Sequence, residues 1–198
     1  QFQPLVSLTG SDSETLDNAF ELLLAGGMDA LQAMRILIPP AWQAVDGMDP
    51  DVRAFYEYHS FHLEPWDGPA GVVFTDGRYA ACTLDRNGLR PARYVITEDR
   101  HITLASEIGV WDYDPAAVVA KGRLGPGEMV AVDLATGEFL ESAAIDQILE
   151  QRQPYKRWLK QGVRYLESEL VDVHMAAEPM DPHTLGTYQK AFGLTAEE

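Results

Sequence analysis

Cysteine and basic side chains are scarce in this 198-residue sequence. A single cysteine, Cys82, excludes an intramolecular disulfide and a cysteine-held metal cluster, as is usual for a reducing cytoplasm or plastid stroma. Only 15 lysines and arginines stand against 31 aspartates and glutamates, which gives a formal charge of −16. Such a surface repels polyanions, so we expect neither a nucleic acid nor an anionic membrane as a partner.

Long apolar runs and glycine-rich phosphate loops are absent as well. No stretch approaches the roughly 18 to 20 apolar residues of a membrane span, and the segment 1–10 lacks the basic start of a signal peptide. Neither GxGxxG nor a P-loop pattern occurs, so the sequence predicts no nucleotide site of those kinds. With 46% hydrophobic residues, the chain can still bury a sizeable core, and we expect one domain with an appendage.

The first third of the chain carries helical signals. The stretch Ser11-Asp12-Ser13-Glu14 has the form of a capping box, so a helix is predicted to begin there and to end at Gly26-Gly27. A second helix is predicted from Asp29 to Pro39-Pro40, and a third follows Asp49-Pro50. We expect the first two helices to pair as a hairpin.

The middle of the chain has the residue pattern of β-strands. Strands are predicted at 72–74, 78–84, 94–97 and 101–105, and the short turns between them favour a four-strand antiparallel meander. Further along, the sequence predicts a short helix at 116–120, a hairpin turning at Thr136-Gly137, a helix capped by Ser142, a helical continuation at 155–170 and a linker at 171–182.

The turn at 83–94, TLDRNGLRPARY, carries more charge than a plain connector requires. Asn87-Gly88 favours a tight turn because both residues tolerate positive φ. Asp85, Arg86, Arg90 and Arg93 place charges of both signs in this one segment. The pattern indicates either a network of ion pairs or a binding surface.

Several motifs in this order resemble the glutaminase domain of glutamate synthase large subunits, a class II (N-terminal nucleophile) glutamine amidotransferase. They are DRNGLRPARY at 85–94, EPWDGPAGVVFTDGR at 64–78, ASEIGV at 105–110, GSDSETLDNAFELLL at 10–24 and the tail AFGLTAEE. The resemblance implies an α+β fold, the four-layer αββα sandwich of N-terminal-nucleophile hydrolases, with its N-terminal part missing. Residues 1–154 would then be the C-terminal portion of the glutaminase domain, and 155–198 a helix and linker leading into a central domain.

The resemblance also implies an activity and its partners. The full-length enzyme would hydrolyse glutamine and channel the ammonia to a flavin site, where 2-oxoglutarate becomes glutamate. FMN and a 3Fe-4S cluster would belong to later domains and no cofactor to this segment. The electron donor would be a reductase subunit using NADPH or NADH, or ferredoxin, in the cytoplasm or a plastid stroma. The alternative is a non-catalytic interaction or regulatory module that retains the fold; a cysteine exposed at the start of the full-length protein would indicate the enzyme.

Asp12 is the first candidate for binding. In the first turn of a helix, its carboxylate lies near the positive end of the helix dipole, which favours the ionised form. That placement alone is typical of helix-end electrostatics. The resemblance adds a role, because in the family the aspartate of an S-D-S/T-E stretch binds the α-amino group of glutamine.

No catalytic residue is assigned within the chain. The family's nucleophile is an N-terminal cysteine whose own α-amino group is the base, whereas this chain begins with Gln1, so that cysteine is expected upstream. Cys82 falls within a predicted strand, where a thiol is usually a small buried apolar group. Asn87-Gly88 belongs to the charged turn and is not the family's oxyanion pair.

Other polar residues leave two interpretations open. Asp85 and Arg90 line or support the substrate pocket, or else form a structural salt-bridge network, in which Glu107 could accept from an arginine. His59 and His62 are three residues apart on a predicted helix, as in some metal sites, but histidines on amphipathic helices are more often packed or solvated. We therefore predict no metal site.

Overall fold

Six α-helices and seven β-strands occupy the described residues, 5–164 and 181–192, of the computed structural model. The helices are α1 (Asp12–Ala25), α2 (Ala30–Leu37), α3 (Pro50–Ser60), α4 (Ser142–Glu150), α5 (Tyr155–Gly162) and α6 (Pro182–Phe192). The strands are β1 (Gly71–Thr75), β2 (Tyr79–Leu84), β3 (Arg93–Thr97), β4 (Ile102–Ala105), β5 (Val118–Arg123), β6 (Met129–Asp133) and β7 (Glu138–Leu140). Within these residues, no helix has both the length and the apolar character needed to cross a membrane.

The ends of α1 and α2 lie where the sequence predicted them, because side chains there complete the terminal hydrogen bonds. The Ser11 hydroxyl accepts from the Glu14 amide at 3.3 Å, as a capping box requires. Beyond the end of α1, Gly27 adopts φ +91°, a conformation that favours glycine. The Asp29 carboxylate caps α2 by accepting from the Gln32 amide at 3.0 Å. The two helices pack together as the predicted hairpin.

The seven strands form two antiparallel sheets. Sheet A has the order β1-β2-β6-β7 and sheet B the order β4-β3-β5. The predicted four-strand meander is therefore wrong, because β2 and β3 do not pair. Instead β2 pairs with β6, with Cys82 opposite Val130, and β3 pairs with β5, with Tyr94 opposite Gly122. The charged turn after β2 does not reverse the chain within one sheet but carries it from sheet A to sheet B.

The hydrophobic core between the sheets shows how they are stacked. Because alternate residues of a strand point to opposite faces, Cys82 and Leu84 turn toward sheet B, whereas Ala81 faces the other way. The cluster between the sheets consists of buried Cys82, Leu84, Ala92, Leu124 and Val130 with Tyr94, Leu104 and Phe139 packed against it. On its other face, sheet A contacts α2 and α4. The α+β architecture with two stacked antiparallel sheets is confirmed; the described residues supply one helical layer and both sheets.

The helix predicted at 116–120 is largely wrong. Only a 3-10 turn, Pro115–Ala117, forms there, and β5 follows it directly. Val118 and Val119 are β-branched and favour a strand, and Val118 finds a partner in Thr97 of β3.

The predicted cap at Ser142 is also wrong. Ser142 is the first residue of α4, and its hydroxyl forms no cap there. It accepts hydrogen bonds instead from Nη2 of Arg35 at 2.5 Å and from the Met129 amide at 3.3 Å. A contact with a distant arginine thus takes the place of local capping.

The chain divides into two compact units, residues 1–162 and 163–198. In the second unit, α6 is a helix that the sequence analysis did not predict. The Asp181 carboxylate caps it by accepting from the amides of His183 at 3.0 Å and Thr184 at 3.1 Å. Most of the predicted linker at 171–182 and the end of the helix predicted at 155–170 lie outside the described residues, and the domain boundary after residue 154 stays a prediction.

Gly127 yields a prediction about backbone crowding. Its φ is +67°, and a Cβ there would lie 2.7 Å from Cβ and 2.8 Å from Cα of Pro40. We expect Gly127→Ala to lower the free energy of unfolding by about 2 to 4 kcal/mol, because strain at positive φ adds to overlap with a rigid ring. Thermal unfolding should show a Tm lower by roughly 5 to 15 °C.

Gly47→Ala is the matched control for this prediction. Gly47 has φ +72°, but a Cβ there would meet no atom within 4 Å. The free energy of unfolding of Gly47→Ala should therefore fall only by the cost of a positive φ at alanine, about 1 kcal/mol. Equal losses in the two variants would show that the contact with Pro40 contributes nothing.

Candidate functional site

Asp12 lies on a cleft between α1 and the segment Leu63–Asp67. Its carboxylate is exposed in the first turn of α1, next to the positive end of the helix dipole. The cleft has a volume of about 410 Å³, and its lining includes the acidic residues Glu64 and Asp67 as well as Asp12. No lysine or arginine is among its described lining residues. The cleft therefore suits a small ligand that carries a positive charge.

The wall of the cleft opposite α1 is held by main-chain and indole hydrogen bonds. The Trp66 amide donates to the Leu37 carbonyl at 2.7 Å, which ties the wall to the end of α2. The Trp66 indole donates to the Gly68 carbonyl at 2.9 Å. The position of this wall thus depends on where α2 is placed.

Arg86 connects the charged turn to the cleft, and the sequence analysis gave it no such role. Its Nη2 lies 2.8 Å from the Asp67 carboxylate, with both side chains largely exposed. An exposed ion pair of this kind contributes only about 0 to 1 kcal/mol to stability. No local pattern in the sequence indicated that residues 67 and 86 would meet.

Asp85 is buried, and its carboxylate binds main-chain amides. Oδ2 accepts from the Ala70 amide at 3.0 Å, and Oδ1 accepts from Asn87 at 2.9 Å and from Gly88 at 3.1 Å. The main-chain amide and carbonyl of Asp85 also form hydrogen bonds, and the carbonyl accepts from the Gly127 amide at 2.8 Å. The cleft of Asp12 does not include Asp85 among its described lining residues. In this structure Asp85 holds loops together.

Arg90 and Glu107 do not form the predicted network. Both side chains are exposed, and among residues 5–164 and 181–192 neither has an ion pair or a hydrogen bond. The stem of Arg90 lies over Gly71, where an added Cβ would come within 3.3 Å of the arginine Cβ. Asp85 and Arg90, adjacent to the same turn, therefore have different environments. A pocket role for Arg90 stays a prediction.

Cys82 is unsuited to nucleophilic chemistry. It is buried on the face of β2 that packs against sheet B. Burial raises the pKa of its thiol to about 11, so that the thiolate is rare at neutral pH. This environment agrees with the interpretation of Cys82 as a core residue.

His59 and His62 lie in an aromatic environment. Burial, reinforced by the nearby His62, lowers the pKa of His59 to about 4, and its ring packs 4.8 Å from that of Phe55. Nδ1 of His62 lies 2.8 Å from the Tyr58 carbonyl oxygen. Within the described residues, no group of three or more histidine, cysteine, aspartate or glutamate side chains could hold a metal ion.

A buried arginine, Arg35, was missed by the sequence analysis. Although it lies on the apolar α2, its guanidinium is fully buried and donates to Asp146 at 3.0 Å and to the Gly127 carbonyl at 2.7 Å. The Tyr56 hydroxyl donates to the same Asp146 oxygen at 2.7 Å. Burial opposes the charge, but Tyr56 and Asp146 outweigh it and raise the pKa of Arg35. In the sequence, this buried role was indicated only by the position of Arg35 among the apolar residues of a predicted helix.

Comparison with known proteins assigns the family. The family of class-II glutamine amidotransferases matches residues 1–158. The chain therefore belongs to the class-II glutamine amidotransferases.

Among curated proteins, the chain is similar to glutamate synthases over nearly its whole length. It is 43% identical over 197 residues to the ferredoxin-dependent glutamate synthase of Antithamnion sp., covering 98% of this chain and 13% of that protein. It is 41% identical over 198 residues to the glutamate synthase [NADPH] large chain of Bacillus subtilis (strain 168), with the same two shares. It is 41% identical over 201 residues to the chloroplastic ferredoxin-dependent glutamate synthase of Oryza sativa subsp. japonica, covering 100% of this chain and 12% of that protein. The chain thus spans about one eighth of the length of these relatives.

The contacts of Asp85 lead to a stability prediction. In Asp85→Asn, the side-chain oxygen can still accept hydrogen bonds from the Asn87 and Gly88 amides. The side-chain NH2 group would face the Ala70 amide, and because both are donors no hydrogen bond can form between them. Leaving a buried main-chain N–H unpaired costs about 1 to 3 kcal/mol. We expect the free energy of unfolding in urea to fall by about that amount.

Asp76→Asn is the control for Asp85→Asn. Asp76 also accepts two main-chain hydrogen bonds in a turn, from Arg78 at 2.9 Å and Tyr79 at 2.8 Å, but both reach the same oxygen, Oδ1. An asparagine can reproduce both bonds. The control should stay within about 0.5 kcal/mol of the parent, and similar losses in both variants would refute the role given to the second carboxylate oxygen of Asp85.

The environment of Cys82 predicts slow alkylation. With a thiol pKa of about 11, the thiolate fraction at about pH 8 is on the order of a hundredfold lower than for free cysteine, before burial is considered. Iodoacetamide should therefore modify the folded chain at least about a hundredfold more slowly than free cysteine, and denaturant should remove most of that difference. Modification of the folded chain as fast as free cysteine would show an accessible, activated thiol.

Proposed function

We propose that this chain forms the glutamine-binding part of the glutaminase domain of a glutamate synthase large subunit. Its membership of the class-II glutamine amidotransferases and its likeness to glutamate synthases support this proposal. The single observation that carries it is the exposed carboxylate of Asp12 at the start of α1, on a cleft whose described lining has acidic residues and no basic ones.

The proposed ligand contact is between Asp12 and the α-ammonium group of glutamine. An ammonium group has three N–H donors, and a carboxylate accepts such charge-assisted bonds well. Glu64 and Asp67 line the same cleft and add negative potential. Arg86 pairs with Asp67 but is not among the described lining residues of the cleft. The arrangement therefore favours a ligand that presents an ammonium group to the cleft.

The nucleophile in this proposal comes from outside the chain. Cys82 is buried and its pKa is raised, so an N-terminal cysteine elsewhere in the polypeptide would attack the side-chain amide of glutamine, with its own α-amino group as base. The residues described here would bind and orient the substrate for that attack. Fixing a substrate in the reactive geometry can itself contribute several kcal/mol to catalysis.

The later steps are proposed for other domains of the synthase. Ammonia released from glutamine would be channelled to a flavin site, where it converts 2-oxoglutarate to glutamate. Iron–sulfur clusters are held by several cysteine thiolates, and this sequence has one cysteine, so the chain does not fit a 3Fe-4S cluster. We assign that cluster and FMN to other domains. A reductase subunit or ferredoxin would donate the electrons, in the cytoplasm or a plastid stroma.

Asp12→Asn in the full-length synthase tests the proposal. The substitution keeps the shape and leaves the Ser11 cap in place but removes the charge, and a charge-assisted hydrogen bond is worth about 1.5 to 3 kcal/mol. The glutamine-dependent kcat/KM should therefore fall roughly tenfold to a hundredfold. The reaction supplied with free ammonia should be nearly unchanged, because Asp12 does not take part in it.

Asp17→Asn serves as the control for Asp12→Asn. Asp17 is exposed on the same helix but is not among the described lining residues of the cleft, so both reactions should keep their rates. If Asp12→Asn lowers the two reactions in parallel with the Tm, Asp12 is only a helix-end residue. If the parent synthase itself shows no glutamine turnover, the non-catalytic module becomes the better description.

A further inference from the structure

Both walls of the Asp12 cleft are attached to α2. Asp12 itself lies on α1, which packs against α2 as a hairpin. The opposite wall is tied to α2 by the hydrogen bond from the Trp66 amide to the Leu37 carbonyl, and Leu37 also lines the cleft. A shift of α2 would therefore alter the shape of the cleft.

The apolar surface of α2 is a weak means of fixing the position of that helix. Apart from Gln32 and Arg35, its residues are buried and apolar. The hydrophobic effect is non-directional and depends on the area that is buried. Apolar packing therefore constrains the rotation and the axial position of α2 less sharply than directional hydrogen bonds do.

Arg35 supplies the directional bonds of α2. Its guanidinium donates from Nε to Asp146 at 3.0 Å, from Nη1 to the Gly127 carbonyl at 2.7 Å and from Nη2 to the Ser142 hydroxyl at 2.5 Å. Asp146 and Ser142 belong to α4, and Gly127 lies just before β6. Because a planar guanidinium fixes the directions of its donors, this one side chain sets the position of α2 relative to α4 and sheet A.

The burial of Arg35 needs an explanation other than stability. Within the part of the chain that the structure describes, it is the only buried basic residue. Taking a charge out of water is costly, and replacing a buried ion pair by apolar side chains often leaves stability unchanged or raises it. What the arginine adds over an apolar side chain is the directional constraint on α2.

We propose that Arg35 is a positioning residue for glutamine binding, which acts through α2 to hold Asp12 and the wall that contains Trp66 in the arrangement that fits the substrate. This inference rests on the proposed function. Tyr56 takes part, because its hydroxyl donates at 2.7 Å to the same Asp146 oxygen that accepts from Arg35. Neither Arg35 nor Tyr56 is among the described lining residues of the cleft, so their effect on the substrate is indirect.

An apolar replacement of the cluster in the full-length synthase tests the proposal. The triple variant Arg35→Met, Tyr56→Phe, Asp146→Leu removes the charges together with their directional bonds, and its Tm should stay within about 5 °C of the parent. The KM for glutamine should rise at least about threefold, and glutamine-dependent kcat/KM should fall at least about fivefold. The reaction supplied with free ammonia should keep its rate.

Hydrogen exchange provides a second measurement, which does not depend on turnover. In the triple variant, the bond from the Trp66 amide to the Leu37 carbonyl should open more often, so that this amide exchanges at least about tenfold faster. Mass spectrometry of peptides that contain Trp66 measures that rate. Amides between β2 and β6, where Ala81 pairs with Ala131, should exchange as in the parent.

Val130→Ala is the control for a general loss of stability. Val130 is buried between the sheets and is not among the described lining residues of the cleft. The substitution should lower the Tm and leave both the glutamine KM and the exchange of the Trp66 amide unchanged. A rise in KM comparable to that of the triple variant would show that instability alone moves the cleft wall, and would refute the positioning role.

Two further results would overturn the proposal. One is a folded triple variant whose glutamine KM and Trp66 exchange match the parent, and the other is a parallel decline of both reactions with the Tm. If the triple variant does not fold, Tyr56→Phe decides, because it removes one hydroxyl and leaves the ion pair. It should raise the KM and the Trp66 exchange rate at least about twofold, and parent values would refute the role. A parent synthase without glutamine turnover would refute the proposed function instead, while exchange at Trp66 would still test the anchoring.

Discussion

The buried carboxylate of Asp85 is the interaction on which the arrangement of both sheets depends. A buried charge is costly unless hydrogen bonds satisfy it, and here three main-chain amides do so. One of them belongs to Ala70, just before β1, and two belong to the turn after β2. The carboxylate therefore fixes the strand that enters sheet A and the segment that leaves it for sheet B. The apolar cluster between the sheets then packs them face to face.

Gly127 extends this arrangement to the helices and to the cleft. Its amide donates to the Asp85 carbonyl, while its own carbonyl accepts from Arg35 of α2. The end of α2 in turn accepts, through Leu37, the hydrogen bond that places Trp66. A continuous path of hydrogen bonds and covalent chain thus runs from the charged turn to the cleft wall. Asp85, Gly127 and Arg35 thus help to position the cleft of Asp12, although they are not among its described lining residues.

Local signals predicted local structure well, and distant contacts account for the errors. Capping by Ser11 and Asp29 depends on residues three positions away, so the helices of the first third were predicted correctly. The pairing of β2 with β6 depends on which apolar faces meet in the folded core. A short stretch of sequence does not contain that information. The same holds for Arg35, whose partner Asp146 lies 111 positions later. For the cleft, the sequence identified Asp12 from a motif, but Arg86 is brought there only by the tertiary fold.

The hydrogen bonds at Gly88 also bear on how the protein ages chemically. Asn-Gly pairs are prone to deamidation, in which the glycine nitrogen loses its proton and closes a succinimide ring on the asparagine side chain with release of ammonia. Here the Gly88 amide donates to both the carbonyl and the carboxylate of Asp85, at 3.0 and 3.1 Å. A proton held between two acceptors, one of them anionic, is difficult to remove. The turn that joins the sheets thus protects its own most labile peptide unit for as long as the fold is intact.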